Sequence, residues 1–589
     1  MASSVRITDG SWDFASGVDS GKIPTVASAL MPHGLGRDQL AWLSNATVRG
    51  GGITQRTGWQ PLCTVHPGGA LYQGGWLYDN SKAGGNPYLM LSIGGDLYQV
   101  RVDTDNSVVN VSAAAGISDP ALVDKAFFTQ GEEFMVKQAG DGTTLPLFWD
   151  GTTLRRSNGL AVAPYELPPA LSMDYYMGRI WYSQGRTYSA GDIVGGAAGT
   201  AGYNKRDSVL KVSENPLALA GDGFTVPTAA GNIHALRHSA NLDTALGEGQ
   251  LFVFTRKQVY SLTVPVTRAD WINSKEPLQR VALINSGCYG DRCVVSVNGD
   301  LFYQAPDGIR SLTLAVRNFQ QWGNTPISSN ENRILRFNNR GLMRMASGIQ
   351  FDNRMLQTVL PEESDVGTVF KAIVPLDFDL ISTLSEKLPP AWEGHWEGLP
   401  ILQLFEGDFG GLQRAFAVVR NPTDGSIAVW ELTTSNRREN GDNRVSWYVE
   451  TPAFTWGKEF ELKKLDGAEI WFDKVFGTVE MEVYYRPDAA ACWEFWTATK
   501  FCSARSTCED VNYPVCYPEQ PYAEGREGYR FPITLPTPPA ASCQRGNSRP
   551  LNIGYQFQLK IVIKGWCQVR GVLLHAIPVG KAPFEGMAC

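Results

Sequence analysis

The sequence lacks long apolar runs and contains little histidine. No stretch approaches the roughly 18 consecutive apolar residues of a membrane-spanning helix, and the N-terminal residues contain no apolar core of a secretory signal. We therefore expect a protein made in a cytoplasm, with no membrane insertion. Six histidines among 589 residues leave little material for a metal centre or a catalytic triad.

Catalytic and cofactor motifs are also missing. The chain has no Gly-x-Ser-x-Gly nucleophile elbow, no Walker-type phosphate loop and no His-Glu-x-x-His zinc motif. His234 and His238 are four residues apart, but they lie in a strand-like region and are interpreted as core or surface residues. Residues 149–153 and 423–426 match the sialidase Asp-box only in part. We expect no enzymatic activity, no cofactor and no metal site.

The ten cysteines are unevenly distributed, and none forms a Cys-x-x-Cys pair. Seven of them lie in roughly the last hundred residues. Without closely spaced pairs, disulfides or free thiols are favoured over a zinc site, and the sequence leaves open which of the two occurs.

Turn-forming and aromatic residues are abundant. The chain has 61 Gly, 34 Pro and 11% aromatic residues, a composition typical of many short strands. At 589 residues it is too long for one hydrophobic core, so two or three domains are expected. The net charge of −7 argues against tight binding of DNA, although a negative wall lets a polyanion slide past it.

A series of β-hairpins is predicted between residues 65 and 444. Apolar runs reverse there at short Gly, Asn and Asp pairs, the signature of tight hairpin turns. The pairs are Gly94-Gly95, Asp150-Gly151, Asn298-Gly299, Asp352-Asn353 and Asp424-Gly425. Their spacing is irregular, which favours a β-propeller with irregular blades; a stack of β-sandwiches is the alternative.

The chain is divided into three regions. Residues 1–64 form an extended N-terminal arm, which has no core of its own and is expected to pack with the C-terminal region. Residues 65–444 are predicted to form the propeller. Residues 445–589 are predicted to form a cysteine-rich β-sandwich, because apolar and polar residues alternate there with period two. The fold class is therefore all-β. Short helices are predicted at residues 39–46 and 326–337.

Residues 362–408 form an acidic stretch inside the propeller region. Ten Asp and Glu face two Lys, a local charge of −8 that exceeds the charge of the whole chain. We interpret this stretch as an insertion that lines or rims a DNA exit; a solvated outer loop is an equal alternative, and a glycosidase carboxylate pair a weaker one. The candidate lining residues are Glu362, Glu363, Asp365, Asp377, Asp379 and Glu386.

Several motifs resemble those of bacteriophage tail proteins. Residues 45–51 (Asn-Ala-Thr-Val-Arg-Gly-Gly) and Arg56-Thr57-Gly58 are similar to the N-terminal part of such proteins, although Thr57 replaces their usual proline. Further similar segments are residues 179–182, 308–312, 351–356 and 485–488. The best resemblance is to the nozzle proteins of short-tailed phages, the tail tubular protein B-like family.

This resemblance implies a structural virion protein of the phage tail. Six propeller-bearing subunits, a homo-hexamer, would surround the DNA ejection channel, through which DNA passes transiently and without specific binding. The N- and C-terminal segments would form a platform against the adaptor ring, and tail fibre or needle proteins would dock on the assembly. The alternative function is a tail adhesin or fibre-attachment propeller that binds glycans of the host surface.

Overall fold

The computed structural model describes most of the chain. Strands dominate, and helices account for only 7% of it, so the predicted all-β class with a propeller is confirmed. The described residues are 5–103, 105–161, 165–191, 223–239, 249–266, 268–313, 326–379, 390–433, 437–503, 512–514, 530–540 and 550–580.

The N-terminal arm contains six short strands and one 3₁₀ turn. The helix predicted at residues 39–46 is wrong, because strands form there instead, one paired with residues 448–450 and the other with residues 54–55. The elements are β1 (Ile7–Ser11), β2 (Ile23–Val26), β3 (Gly34–Leu35), β4 (Trp42–Ser44), β5 (Ala46–Thr47), the 3₁₀ turn Arg49–Gly51 and β6 (Ile53–Gln55).

Five antiparallel sheets form the successive blades of the propeller, after one strand, β7 (Trp59–His66), that belongs to a later sheet. The first blade consists of β8 (Tyr72–Tyr78), β9 (Tyr88–Ile93), β10 (Asp96–Val100) and β11 (Val108–Asn110), followed by α1 (Val111–Ala115). The second consists of β12 (Phe127–Gly131), β13 (Phe134–Gln138), β14 (Leu147–Trp149) and β15 (Leu154–Arg156).

The next three blades follow in chain order. The third consists of β16 (Met173–Tyr176), β17 (Arg179–Gln184), β18 (Thr187–Ala190) and β19 (Gly223–Thr225). The fourth consists of β20 (Ile233–His238), β21 (Leu251–Thr255), β22 (Gln258–Leu262) and β23 (Gln279–Ile284), with α2 (Arg268–Asn273) before its last strand. The fifth has three strands, β24 (Val295–Val297), β25 (Asp300–Ala305) and β26 (Gly308–Ser311).

An eight-stranded sheet closes the circle between the fifth and the first blade. It is preceded by the 3₁₀ turn Ile327–Glu331 and α3 (Asn332–Leu335), so the helix predicted at residues 326–337 is confirmed. Its strands are β27 (Gly348–Phe351), β28 (Arg354–Ser364), β29 (Gly367–Asp377), β30 (Ala391–Trp392), β31 (Trp396–Phe409), β32 (Leu412–Arg420), β33 (Ile427–Leu432) and the earlier β7. Strand β27 contacts β24, and β31 contacts β8.

The C-terminal region forms an eleven-stranded sheet around two long strands that pair with each other. After the small hairpin β34 (Arg438–Glu439) and β35 (Asn443–Arg444), its strands are β36 (Ser446–Glu450), β37 (Leu462–Pro487), β38 (Glu494–Cys502), β39 (Tyr513–Pro514), β40 (Phe531–Leu535), β41 (Ile553–Gly554) and β42 (Phe557–Gly580). Strands β1 and β6 of the arm pair with β42, and β4 pairs with β36. The arm thus supplies edge strands to this sheet.

The five predicted hairpin reversals are all confirmed. Asn298 and Gly299 both have positive φ, 51° and 80°, as a primed two-residue turn between β24 and β25 requires. Gly95 is required for a steric reason, because a Cβ atom at this position would lie 2.1 Å from the carbonyl oxygen of Asp119. These local rules hold because turn geometry depends on a few adjacent residues.

The acidic stretch is not an insertion, which corrects the sequence interpretation. Most of residues 362–408 belong to strands β28, β29, β30 and β31 of the eight-stranded sheet. The sheet needs these strands because their apolar residues, such as Phe370 and Ile401, fill the core beneath it. A count of charges did not reveal this role, because it leaves out the apolar residues between the acids.

Candidate functional site

The innermost strands of the propeller surround a cavity of about 420 Å³ on its axis. Every blade and the closing sheet contribute to its wall. Representative lining residues, in order around the axis, are Trp76, Phe128, Met173, Leu236, Val295, Ile349 and Leu404. Such a cavity is the place where a propeller brings residues from distant parts of the chain together.

One polar group at the cavity joins the third and fourth blades. The Asp174 carboxylate, nearly buried on β16, accepts a hydrogen bond of 2.6 Å from the backbone N–H of His238. The Nδ1 atom of His238 lies 2.9 Å from the same carboxylate oxygen, and Arg237 lies 4.0 Å from the other. His238 therefore has a structural partner in this carboxylate, which the sequence spacing alone did not indicate.

A second polar group joins the fifth blade to the first two. The buried Lys125 ammonium contacts the Asp291 carboxylate at 2.5 Å and donates to the carbonyl oxygen of Arg344 at 2.8 Å. Arg292 donates to the carbonyl oxygens of Gln73 and Ala126 at 2.7 and 2.6 Å. Burial lowers the pKa of Lys125, which Asp291 counteracts. These contacts fix the blades to each other.

A partly buried carboxyl, Glu406 on β31, also lines the cavity. Burial raises its pKa to about 7, far above the ordinary value of 4.5, although the Gln413 side chain donates to it at 3.3 Å and opposes the rise. Near neutral pH this group exchanges a proton, so the polarity of the cavity wall depends on pH.

The size of the cavity decides what it admits. The major groove of B-DNA alone is about 12 Å wide, whereas a cavity of 420 Å³ corresponds to a sphere with a diameter of roughly 9 Å. A duplex therefore does not thread through one propeller. The volume is within the range of small-ligand sites, about 300–1,000 Å³.

Three of the predicted acidic residues lie together at an exposed hairpin tip. Glu362 and Glu363 lie near the end of β28, and Asp365 lies in the turn before β29; all three are exposed. Glu362 pairs with Lys371 across the hairpin at 2.6 Å, with both side chains more than half exposed. This tip carries the accessible negative charge that the sequence analysis predicted.

Asp377 does not line a channel, which corrects its assignment. It is fully buried and contacts the Arg49 guanidinium at 2.8 Å, and the same guanidinium lies 3.0 Å from the Asp379 carboxylate. Arg354 contacts Asp377 at 3.4 Å and the buried Glu393 at 2.9 Å. The physical reason is electrostatic: these carboxylates neutralise two arginines between the arm and the sheet. Glu386 lies outside the described residues.

The histidine and cysteine candidates have structural partners. His234 has its Nδ1 atom 2.9 Å from the Cys288 carbonyl oxygen, and burial lowers its pKa. The thiols of Cys288 and Cys293 are 3.5 Å apart, buried and unoxidised. In the C-terminal region Cys502 is disulfide-bonded, whereas Cys492 and Cys567 are free. Within the described ranges, no three His, Cys, Asp or Glu side chains form a metal-binding group.

In the part of the chain that the structure describes, no helix is long and apolar enough to cross a membrane.

Comparisons with known proteins leave the family open. No family model matches the chain, and no curated protein matches it. Solved structures with a detectable likeness include BBS1N in complex with ARL6DN, with 11% identity, coverage of 65% of this chain and 99% of that one, and a TM-score of 0.33. A glycoside hydrolase has 9% identity, coverage of 96% and 100%, and a TM-score of 0.20. A putative oxidoreductase (glucose dehydrogenase) of Thermus thermophilus has 13% identity, coverage of 52% and 95%, and a TM-score of 0.27. Scores this low carry no argument about function.

Proposed function

We propose that this protein is a structural component of a phage virion, the nozzle of a short tail. Several copies surround the channel through which DNA is ejected, and other tail parts dock on them. The mechanism is geometric and electrostatic: the protein holds a passage open and does not grip the polyanion.

The proposal rests on the pairing of strands from the two ends of the chain in one sheet. Strand β1 pairs with β42 at five positions, and β42 pairs with β37 along most of its length. The arm, the long C-terminal strands and, through Arg49, the eight-stranded sheet form one continuous hydrogen-bonded body. A body built in this way resists being pulled apart, which suits a part that bears load during ejection.

The size of the axial cavity supports a channel between copies. Because a duplex is too wide for a cavity of about 420 Å³, any DNA passage needs several subunits arranged around it. This requirement agrees with the homo-hexamer, adaptor ring and fibre or needle partners that the sequence resemblance implies.

Electron microscopy of the purified full-length protein, with two-dimensional classification, tests the proposal. We expect rings with six-fold symmetry and a central opening wider than a DNA duplex. A monomer or trimer without such an opening would overturn the nozzle function.

The same axial cavity favours the second candidate, a tail adhesin that binds host-surface glycans. Its volume and its mixture of aromatic and polar lining residues, such as Trp76 and Arg237, fit a small polar ligand. Glycan-array binding that is lost in Trp76→Ala, together with a monomeric or trimeric state, would favour the adhesin over the nozzle.

A further inference from the structure

An exposed apolar groove of about 630 Å³ lies where the N-terminal arm meets the C-terminal sheet. Phe460 is 74% exposed and Leu30 is 64% exposed. Exposed apolar surface of this kind marks an interaction site more often than a solvated face. We define the groove by six of its lining residues: Leu30, Met31, Glu459, Phe460, Asp488 and Tyr555.

The groove is held in shape before any partner arrives. Lys463 donates to the carbonyl oxygens of Lys458, Glu461 and Tyr555 at 2.5 to 2.8 Å, so the turn that carries Phe460 is tied to the opposite wall. The Asp488 carboxylate also accepts a hydrogen bond of 2.8 Å from the backbone N–H of Tyr555. A preformed groove loses little conformational entropy on binding.

The groove has acidic character. Its two charged lining residues, Glu459 and Asp488, are both carboxylates. The buried Lys463 ammonium also interacts with Asp488 and Glu459 and offsets part of their charge. The nearby Lys458 ammonium is engaged by Glu461 at 3.0 Å. An occupant that fits this surface therefore presents a bulky apolar side chain next to cationic groups.

The same chain carries a surface of that chemistry just after α3. Phe337 is 65% exposed, and the Arg336 guanidinium lies 4.8 Å from the centre of its ring. Arg340 is exposed as well. Among the described residues neither arginine has an ion-pair partner. We call Arg336, Phe337 and Arg340 the knob.

The knob is also fixed to the body of the protein. Arg333, one turn earlier, binds both carboxylate oxygens of Glu450 at 2.8 and 3.0 Å and lies 4.9 Å from the centre of the Trp42 ring. On the other side, the Asn338 side chain accepts a hydrogen bond of 2.8 Å from the backbone N–H of Leu360. The exposed phenyl ring therefore projects from a rigid base.

We propose that the knob of one copy binds in the groove of the next copy. Phe337 would fill the apolar groove, and Arg336 and Arg340 would face Glu459 and Asp488. Because knob and groove are different surfaces, the contact is heterologous, and repetition of such a contact generates a ring or an open filament. This inference rests on the proposed function and names the contact that assembles its ring.

Two single-substitution variants, each alone and mixed with the other, test this contact. Phe337→Glu removes the knob and leaves the groove, whereas Phe460→Glu disables the groove and leaves the knob. Leu122→Glu is the matched control, because Leu122 is 92% exposed and belongs to neither surface. Circular dichroism first verifies that each full-length variant is folded, and analytical ultracentrifugation then measures assembly.

We expect the wild type and Leu122→Glu to form the same oligomer and each knob or groove variant alone to be monomeric. Loss of a buried aromatic anchor weakens such contacts about 30-fold or more. Mixed in equal amounts, the two variants should form a one-to-one dimer, since the intact knob of one enters the intact groove of the other. Fluorescent labels of two colours on the variants identify this mixed species.

The results separate this inference from the proposed function. Folded variants that assemble like the wild type, or a mixture that stays monomeric, overturn the contact. If wild-type rings persist in both variants, the nozzle proposal survives and only the contact fails. If the wild type lacks six-fold rings but the mixed dimer forms, the contact stands and the nozzle proposal fails.

Discussion

Replacement of Glu406 by Gln should stabilise the protein in a strongly pH-dependent manner. Burial raises the pKa of this carboxyl from 4.5 to about 7. Between these values the folded protein keeps a proton that the unfolded chain releases, so the contribution of Glu406 to stability falls as the pH rises through this window. The glutamine variant carries no charge to bury and does not suffer this loss.

The magnitude follows from the shift. A difference of roughly 2.5 pH units corresponds to about 3 kcal/mol, since each unit is worth about 1.4 kcal/mol. Glu406 is only partly buried, so we expect Glu406→Gln to exceed the wild type by about 2 kcal/mol at pH 8. At pH 4.5, where the unfolded carboxyl is half protonated, the advantage should fall to about 0.4 kcal/mol, and at lower pH it should vanish.

Urea unfolding followed by tryptophan fluorescence at pH 4.5, 6, 7 and 8 measures this difference. Glu363→Gln is the control, because it makes the same chemical change at an exposed position and should follow the wild type at every pH. An advantage of Glu406→Gln that does not vary with pH, or a loss of stability at pH 8, would refute the reasoning.

Four further predictions concern other parts of the molecule. Arg49→Ala leaves the buried Asp377 without its closest partner and should lower the free energy of unfolding, measured by urea titration, by about 3 kcal/mol. The control Lys371→Ala removes an exposed pair and should change this free energy by less than about 1 kcal/mol. Burial lowers the pKa of Lys463 from 10.5 to about 8, so unfolding takes up a proton between pH 8 and pH 10.5. The contribution of Lys463 to stability should therefore rise with pH from about 8. Lys463→Met should abolish this rise in thermal melts at pH 7.5 to 9.5. Reversal of Glu362, Glu363 and Asp365 to Lys should leave particle assembly intact but slow DNA ejection, less so as salt increases, and normal ejection at low salt would place this hairpin tip away from the channel. Finally, the wild type should release no reducing sugar from any host polysaccharide, and measurable turnover would contradict a purely structural role.

Local features of the fold were predictable from the sequence because they depend on adjacent residues. Asn298-Gly299 specifies a tight turn by its own backbone preferences, and the structure has that turn. The segment at residues 39–46 shows the limit of this reasoning. Its local composition predicts a helix, but Trp42–Ser44 forms a strand because β36, some 400 residues later, offers a pairing edge. Such a partner leaves no trace in the local pattern.

The acidic site was predictable only in part, for a related reason. A count of charges along residues 362–408 finds every carboxylate but not the arginines that face them in space. Arg49 and Arg354 come from other segments, and they neutralise Asp377 and Glu393 inside the protein. One signal was present in the sequence: Asp377 ends an apolar strand, and a carboxylate that is buried with such a strand needs a partner.

The distribution of these acids links the electrostatic part of the proposal to the ring. Asp377 and Asp379 face Arg49, and Glu362 is paired with Lys371, so each subunit contributes mainly Glu363 and Asp365 as uncompensated charge at the hairpin tip. Two exposed charges on one subunit are weak at physiological salt, where the Debye length is about 8 Å. In the proposed closed ring they would repeat in every copy around one axis and would act on the same stretch of DNA. The salt-dependent ejection defect expected of the hairpin variant would therefore depend on the proposed ring, and a variant that cannot assemble through Phe337 should lose the repulsion together with the channel.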